Sequence, residues 1–123
     1  MDGFRPEGWP AVIPRLFTPD VRGLATFVAE VFGGVGQVRT DAPVEMRIGE
    51  SMVMISDGGG LRQPSTAFLY VYVTDADDAC ARAMGLGAAI VEAPLDTAYG
   101  DRRATVRDPW GNTWQIATRR PPG

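Results

Sequence analysis

One order of elements is written twice along these 123 residues. In the first half Val12–Phe17 reads as a strand, and Asp20 can cap a helix over Val21–Phe32. The apolar positions Leu24, Phe27, Val28, Val31 and Phe32 fall on one face of that helix, and Gly33-Gly34 ends it. Strands at Gln37–Thr40, Val44–Ile48 and Ser51–Ile55 are expected next. In the second half Phe68–Val73 is a strand, and Thr74 and Asp77 have capping-box spacing. The helix that follows runs to about Met84 and buries Ala76, Ala79, Cys80 and Ala83, with Gly85 and Gly87 closing it. Ala88–Glu92, Arg103–Arg107 and Thr113–Ala117 are its three later strands, with Asp108-Pro109-Trp110-Gly111-Asn112 as a hairpin turn. Each half is therefore β-α-β-β-β, and Phe17-Thr18-Pro19-Asp20 and Val73-Thr74-Asp75 occupy the same strand-to-helix junction.

The expected class is α+β in a single domain, divided into an N-terminal arm (1–10), a first module (11–57), a linker (58–66), a second module (67–118) and a tail (119–123). Gly58 to Gly60 belongs to the linker and not to a phosphate loop, since no Lys-Ser/Thr and helix follow.

Composition removes several chemistries. The chain has no histidine, so Ser-His-Asp and Cys-His catalysis are excluded within it, along with the commonest neutral-pH base and metal ligand. Its basic residues are all arginine, which codon usage in a GC-rich genome would explain. A net charge of −3 argues against an extended grip on nucleic acid. One cysteine, Cys80, excludes an internal disulfide, and on a buried helix face it should be inert. No apolar run approaches the roughly 20 residues of a membrane span, and MDGFRPEGWP does not read as a signal peptide. A cytoplasmic location is the expectation.

The segment Tyr99-Gly100-Asp101-Arg102, followed by Arg107-Asp108-Pro109-Trp110-Gly111-Asn112-Thr113-Trp114-Gln115-Ile116-Ala117-Thr118, resembles the C-terminal signature of the glyoxalase/bleomycin-resistance family, the vicinal oxygen chelate superfamily. Val31-Phe32-Gly33-Gly34 and Arg47-Ile48-Gly49-Glu50-Ser51 resemble its small PhnB-like members. The resemblance implies two βαβββ modules whose curved mixed sheets enclose a cavity, in many members across a homodimer. It also implies four metal-ligand positions, which fall here on Ile13, Met54, Phe68 and Gln115. Ile and Phe cannot coordinate, Met is too soft for oxygen-preferring metals, and Gln is a weak neutral ligand. The expectation is a site with no metal and no cofactor, and neither glyoxalase, dioxygenase nor thiol-transfer chemistry of the metal-dependent kind.

Strand alternation then proposes a wall for that cavity. If Phe68 faces it, Tyr70 and Tyr72 do too, while Leu69, Val71 and Val73 pack beneath the helices. Ile13, Arg15 and Phe17 follow from the first strand, Met52 and Met54 from another, Thr113, Gln115 and Ala117 from the last, and Arg103 and Thr105 from the strand before it. The candidate ligand-binding set is Phe68, Tyr70, Tyr72, Met52, Met54, Arg15, Arg103 and Gln115, which suits a planar or partly apolar small organic molecule. The same residues admit plainer readings: Phe68 as infill, Tyr70 and Tyr72 as core, Arg15 as an ion-pair or dimer residue. Trp110 reads as a packing or dimer contact, Trp114 as core, and Asp108 as the residue holding the turn.

Three functions fit this reading. The first is a metal-independent protein that binds or sequesters an aromatic or apolar metabolite or antibiotic, with no catalytic residue. The second is a metal-independent isomerase, lyase or cyclase on a secondary metabolite, using Tyr70, Tyr72 or Glu92 for proton transfer. The third is a dimerisation domain whose pocket is filled by its own side chains.

Overall fold

The computed structural model describes residues 3–39, 42–57 and 65–120; Thr40 and most of the expected linker, 58–64, lie outside them, as do the last three residues. Two compact units account for the fold. One comprises residues up to Ala29 and from Gly33 to Ser65, the other Glu30–Phe32 and the chain from Thr66 onward.

In the first unit β1 (Arg15–Phe17) leads to α1 (Val21–Phe32), then β2 (Val44–Ile48) and β3 (Ser51–Ser56), with sheet order β1-β3-β2. β1 runs parallel to β3, Leu16 opposite Ile55, and β2 runs antiparallel to it. Asp20 caps α1 by accepting the Gly23 N–H at 2.9 Å, and Gly33 ends it at φ 69°, a left-handed position that glycine takes without a Cβ penalty. Leu16, Leu24, Phe27, Val28, Val44 and Ile55 are all almost wholly buried, so the helical face and the strand alternation supply one core.

Two expected strands of this unit differ in the structure. β1 begins at Arg15 and not at Val12, because Pro14 has no N–H for the ladder; its carbonyl still accepts from Met54 at 3.0 Å. The strand expected at Gln37–Thr40 does not form over Gln37–Arg39. In its place Val35 makes a single bridge to Arg47, with two 2.9 Å hydrogen bonds. Gly36 shows why: a Cβ there would strike the Glu45 carbonyl oxygen and come within 2.6 Å of the Met46 sulfur. The backbone crosses β2 too closely to run beside it as a pleated neighbour.

The second unit places β4 (Phe68–Tyr72), α2 (Ala76–Gly85), β5 (Ala89–Asp96), β6 (Asp101–Arg107) and β7 (Thr113–Arg119) in a sheet of order β4-β7-β6-β5. β4 is parallel to β7, and the remaining pairs are antiparallel. The cap of α2 is Asp75, which accepts the Asp78 N–H at 3.0 Å; the expected Thr74–Asp77 box does not supply it. Its C-cap is Leu86, with Gly87 next at φ 96°. Ala76, Ala79, Cys80 and Ala83 form the buried face of α2 as expected, and burial raises the Cys80 thiol above its ordinary value.

Asp108 holds the β6–β7 turn. Oδ1 accepts the backbone N–H groups of Trp110 and Asn112, and Oδ2 accepts the Asn112 amide and the Trp114 indole at 2.9 and 2.8 Å. Trp114 is core, fully buried with Ala104, Val106 and Ile116. Over the described residues the chain is thus α+β with two mixed sheets and two helices. Among the described residues no helix is long and apolar enough to cross a membrane.

Candidate ligand-binding site

Register in the second sheet carries side chains into rows on the face opposite Trp114 and Ile116. Tyr70 pairs with Gln115 and Gln115 with Thr105, which lies opposite Glu92. One step along, Tyr72 pairs with Ala117 and Ala117 with Arg103; one step further, Arg119 pairs with Asp101. Phe68, Tyr70, Tyr72, Arg103 and Gln115 therefore share one sheet face. Phe68 and Tyr72 are 65% and 56% exposed, so the aromatic run on β4 is not core within this chain. The rings of Tyr70 and Tyr72 meet edge to face at 5.4 Å.

Beneath those rings lies a carboxylate that strand lengths bring into the site. β6 starts at Asp101 and β7 continues to Arg119, each two residues beyond the expected bounds. Asp101 is fully buried. Its Oδ2 accepts the Tyr70 and Tyr72 hydroxyls at 2.6 and 2.8 Å, and the Arg119 Nε lies 3.0 Å from Oδ1, an ion pair not aligned as a hydrogen bond. The Tyr70 hydroxyl, then that of Tyr72, and the Arg119 charge hold the Asp101 carboxyl below its ordinary value. Burial and the bond to Asp101 push the Tyr70 phenol upward.

The network continues toward β5. The Tyr99 hydroxyl lies 3.1 Å from that of Tyr70, and Arg103 donates to it from Nη1 at 2.9 Å. These two neighbours, Tyr70 first, lower the Tyr99 phenol. Arg103 also donates from Nη2 to Glu92 at 3.1 Å, and Thr105 donates to the same Glu92 oxygen at 2.7 Å. The Arg103 Nε–H is buried without an acceptor. Gln115 reaches Thr105 at 3.5 Å.

The remaining candidates stand on the first sheet. Arg15 pairs with Met54 in the β1–β3 ladder; its guanidinium donates to Ser56 Oγ at 3.3 Å and lies 5.5 Å from the Phe17 ring centre. Met52 is buried and Met54 partly so. Met54 sits opposite Arg15 as Gln115 sits opposite Tyr70, so the two sheets repeat one register.

Tyr70, a candidate for proton transfer, donates to Asp101, a bond that favours its neutral form. Glu92 is engaged by Arg103 and Thr105. Asp101, Tyr99 and Arg119 join this network without being among the sequence candidates. Carrying the alternation two residues back from Arg103 and two forward from Ala117 would have placed Asp101 and Arg119 on this face. No periodic signal points to Tyr99, which lies in the β5–β6 turn.

A metal of the kind the family resemblance implies would take donors from Ile13, Met54, Phe68 and Gln115. Two hydrocarbons, a thioether and a neutral amide do not fit it. Among the described residues no group of three or more His, Cys, Asp or Glu side chains is placed to hold a metal. A separate cleft of about 380 Å³ at the start of α2 is lined by Asp75, Asp77, Arg102, Arg119 and Arg120 among others. Its arginines are paired with Asp77, Asp96 and Asp101, so its charges are matched internally.

The sequence profile of the family described as the glyoxalase/bleomycin resistance protein/dioxygenase superfamily matches residues 11–116. Uncharacterized proteins of Mycobacterium bovis and Mycobacterium tuberculosis are each 30% identical over 124 aligned residues, covering 87% of this chain and 82% and 73% of theirs. The fold is similar to that of TioX from Micromonospora sp. ML1, with a TM-score of 0.73, 24% identity, and coverage of 88% of this chain and 97% of that one. It is also similar to a lactoylglutathione lyase from Agrobacterium tumefaciens, with a TM-score of 0.65, 17% identity, and coverage of 89% and 94%.

Proposed function

Because the chain belongs to the glyoxalase/bleomycin resistance/dioxygenase superfamily, we propose that the open face of its second sheet is one wall of a site that holds an aromatic or apolar small molecule, without a metal and without changing it. The observation that carries this reading is the exposed row Phe68, Tyr70 and Tyr72 standing on a hydrogen-bonded polar floor. Exposed aromatic rings are surface that a flat ligand can cover, each good ring pair adding about 0.5–1.5 kcal/mol beyond the area buried. Ordering comes from below: Asp101 fixes two of the three rings through their hydroxyls, so little rotamer freedom is left to lose on binding. The assembly proposed is a homodimer, as the family resemblance implies.

The test is titration of purified, metal-analysed protein with anthraquinone and naphthoquinone antibiotics, followed by tryptophan fluorescence. Saturable binding of unchanged compound, weakened about 5–10-fold by Phe68→Ala or Tyr72→Ala, is the expected result. Binding that needs stoichiometric metal would overturn the metal-independent reading. Catalytic turnover of the bound compound would replace it with the metal-independent isomerase or lyase.

A further inference from the structure

The three tyrosines of this chain meet on one network, and two of them are committed to the same carboxylate oxygen. Tyr70 and Tyr72 donate to Asp101 Oδ2. Tyr99 differs from both. It projects from the β5–β6 turn, where the Gly100 N–H closes on the Thr97 carbonyl at 3.2 Å, and it is 52% exposed. Its hydroxyl oxygen meets a guanidinium and a hydroxyl, and among the described residues no carboxylate hydrogen-bonds to it.

We propose that Tyr99 is the proton-exchanging residue of this face, taking a proton from, and returning it to, an acidic hydroxyl, phenolic or enolic, on the molecule bound there. The proposal rests on the reading of the face as a binding site.

The network has a stable arrangement for each protonation state. When Tyr99 is neutral, it donates to Tyr70 and accepts from Arg103, while Tyr70 donates to Asp101. When Tyr99 is an anion, Tyr70 can turn its single proton toward it. Asp101 then keeps the Tyr72 hydroxyl and the Arg119 charge. The nearest charge favours the phenolate: Arg103 of β6 donates to the Tyr99 hydroxyl oxygen at 2.9 Å, while the Asp101 charge opposes it. Arg119 of β7 donates to the Tyr99 backbone carbonyl at 2.6 Å and holds the turn. Glu92 of β5 is on the far side of Arg103, and Asp101 of β6 is separated from Tyr99 by the Tyr70 hydroxyl. The lowered Tyr99 phenol agrees with this arrangement.

The ligand class follows from matching acidities. Proton exchange is most facile between groups of similar pKa, and a phenol or enol matches a phenol. The step conserves charge. The ligand O–H proton passes to the Tyr99 phenolate oxygen, and the ligand oxyanion that results lies within the field of Arg103. No other reactant is needed.

The first measurement is an alkaline titration of the ligand-free protein by tyrosinate ultraviolet absorbance. The first tyrosine ionisation is expected below the ordinary phenol value of about 10. That first step should vanish in Tyr99→Phe and move up in Arg103→Gln, with Arg103→Lys restoring part of the shift. Circular dichroism confirms that each variant is folded. Persistence of the first step in Tyr99→Phe would overturn the assignment. The second measurement uses 2-naphthol as the probe, whose acidity lies close to that of tyrosine and whose near-ultraviolet absorbance reports its own ionisation. In the wild type the pH profile of its binding should follow the first tyrosine step, and in Tyr99→Phe only the probe's own ionisation should remain. Coincident profiles would overturn the exchange. If the probe binds neither protein, the exchange falls together with the reading of the face as a binding site, while the titration alone still decides whether Tyr99 is the ionising residue.

Discussion

Tyr70 gives its hydroxyl proton to Asp101 at 2.6 Å, and the two groups shift in opposite senses because of it. The bond favours the charged form of the acid and the neutral form of the phenol. Burial of Asp101 makes the bond structural as well, since an unpaired carboxylate in that position would be strongly disfavoured. Each end of this bond therefore sets a pH limit.

The acid limit comes from Asp101. Its folded pKa is depressed, so its contribution to stability is present above the unfolded value of about 3.9. That contribution is lost as pH falls through the lower folded value. Urea midpoints measured from neutral pH down to strongly acid pH should fall in that window. Asp101→Asn should flatten this part of the profile. An unchanged slope would assign the acid limit to other carboxylates.

The alkaline limit comes from Tyr70, with the sign reversed. Its folded pKa is raised, so its contribution is full below the unfolded value of about 10 and declines as pH rises above it. Tyr99 acts in the window just below 10, where its lowered folded pKa makes stability rise with pH. Midpoints followed across pH 10 should rise slightly and then fall. Tyr99→Phe should remove the rise, and Tyr70→Phe the fall together with most of the rise, since Tyr70 is the first cause of the lowered Tyr99 phenol.

The β6–β7 turn depends on Asp108. Asp108→Ala leaves four donors without their acceptor, two of them on the buried side chains of Asn112 and Trp114. Orphaned buried donors cost about 1–3 kcal/mol each in the general case, and partial access to water at Trp110 reduces the sum. A net loss of about 3 kcal/mol is expected, read as a lower urea midpoint at unchanged slope. A loss below about 1 kcal/mol would mean that water replaces the carboxylate.

Gly36→Ala tests the close crossing over β2. The new Cβ meets a backbone carbonyl, which cannot move aside as a flexible side chain can. Loss of about 1–3 kcal/mol is expected, with the Val35–Arg47 bridge amides exchanging faster with deuterium. Gly85→Ala is the control, since nothing lies within 4 Å of its added Cβ. Equal behaviour of the two variants would remove steric crowding as the reason that the Gln37–Arg39 segment is not a strand.

Local chemistry by itself determined most of the fold. The Asp20 cap, the Gly33 stop, the buried faces of both helices and the Asp108 turn involve residues close together in the chain, and each was readable from spacing. Strand alternation also separated Phe68, Tyr70 and Tyr72 from Leu69 and Val71, because side chains on a strand change sides at every residue. What tertiary structure alone decided is which distant groups meet. The Gly36 crossing, the Asp101–Arg119 register and the gathering of Tyr70, Tyr72 and Tyr99 around one network join residues up to tens of positions apart. No local propensity encodes such contacts: they follow from strand pairing and turn geometry, and it is the pairing that joins two exposed tyrosines and a turn residue in one network.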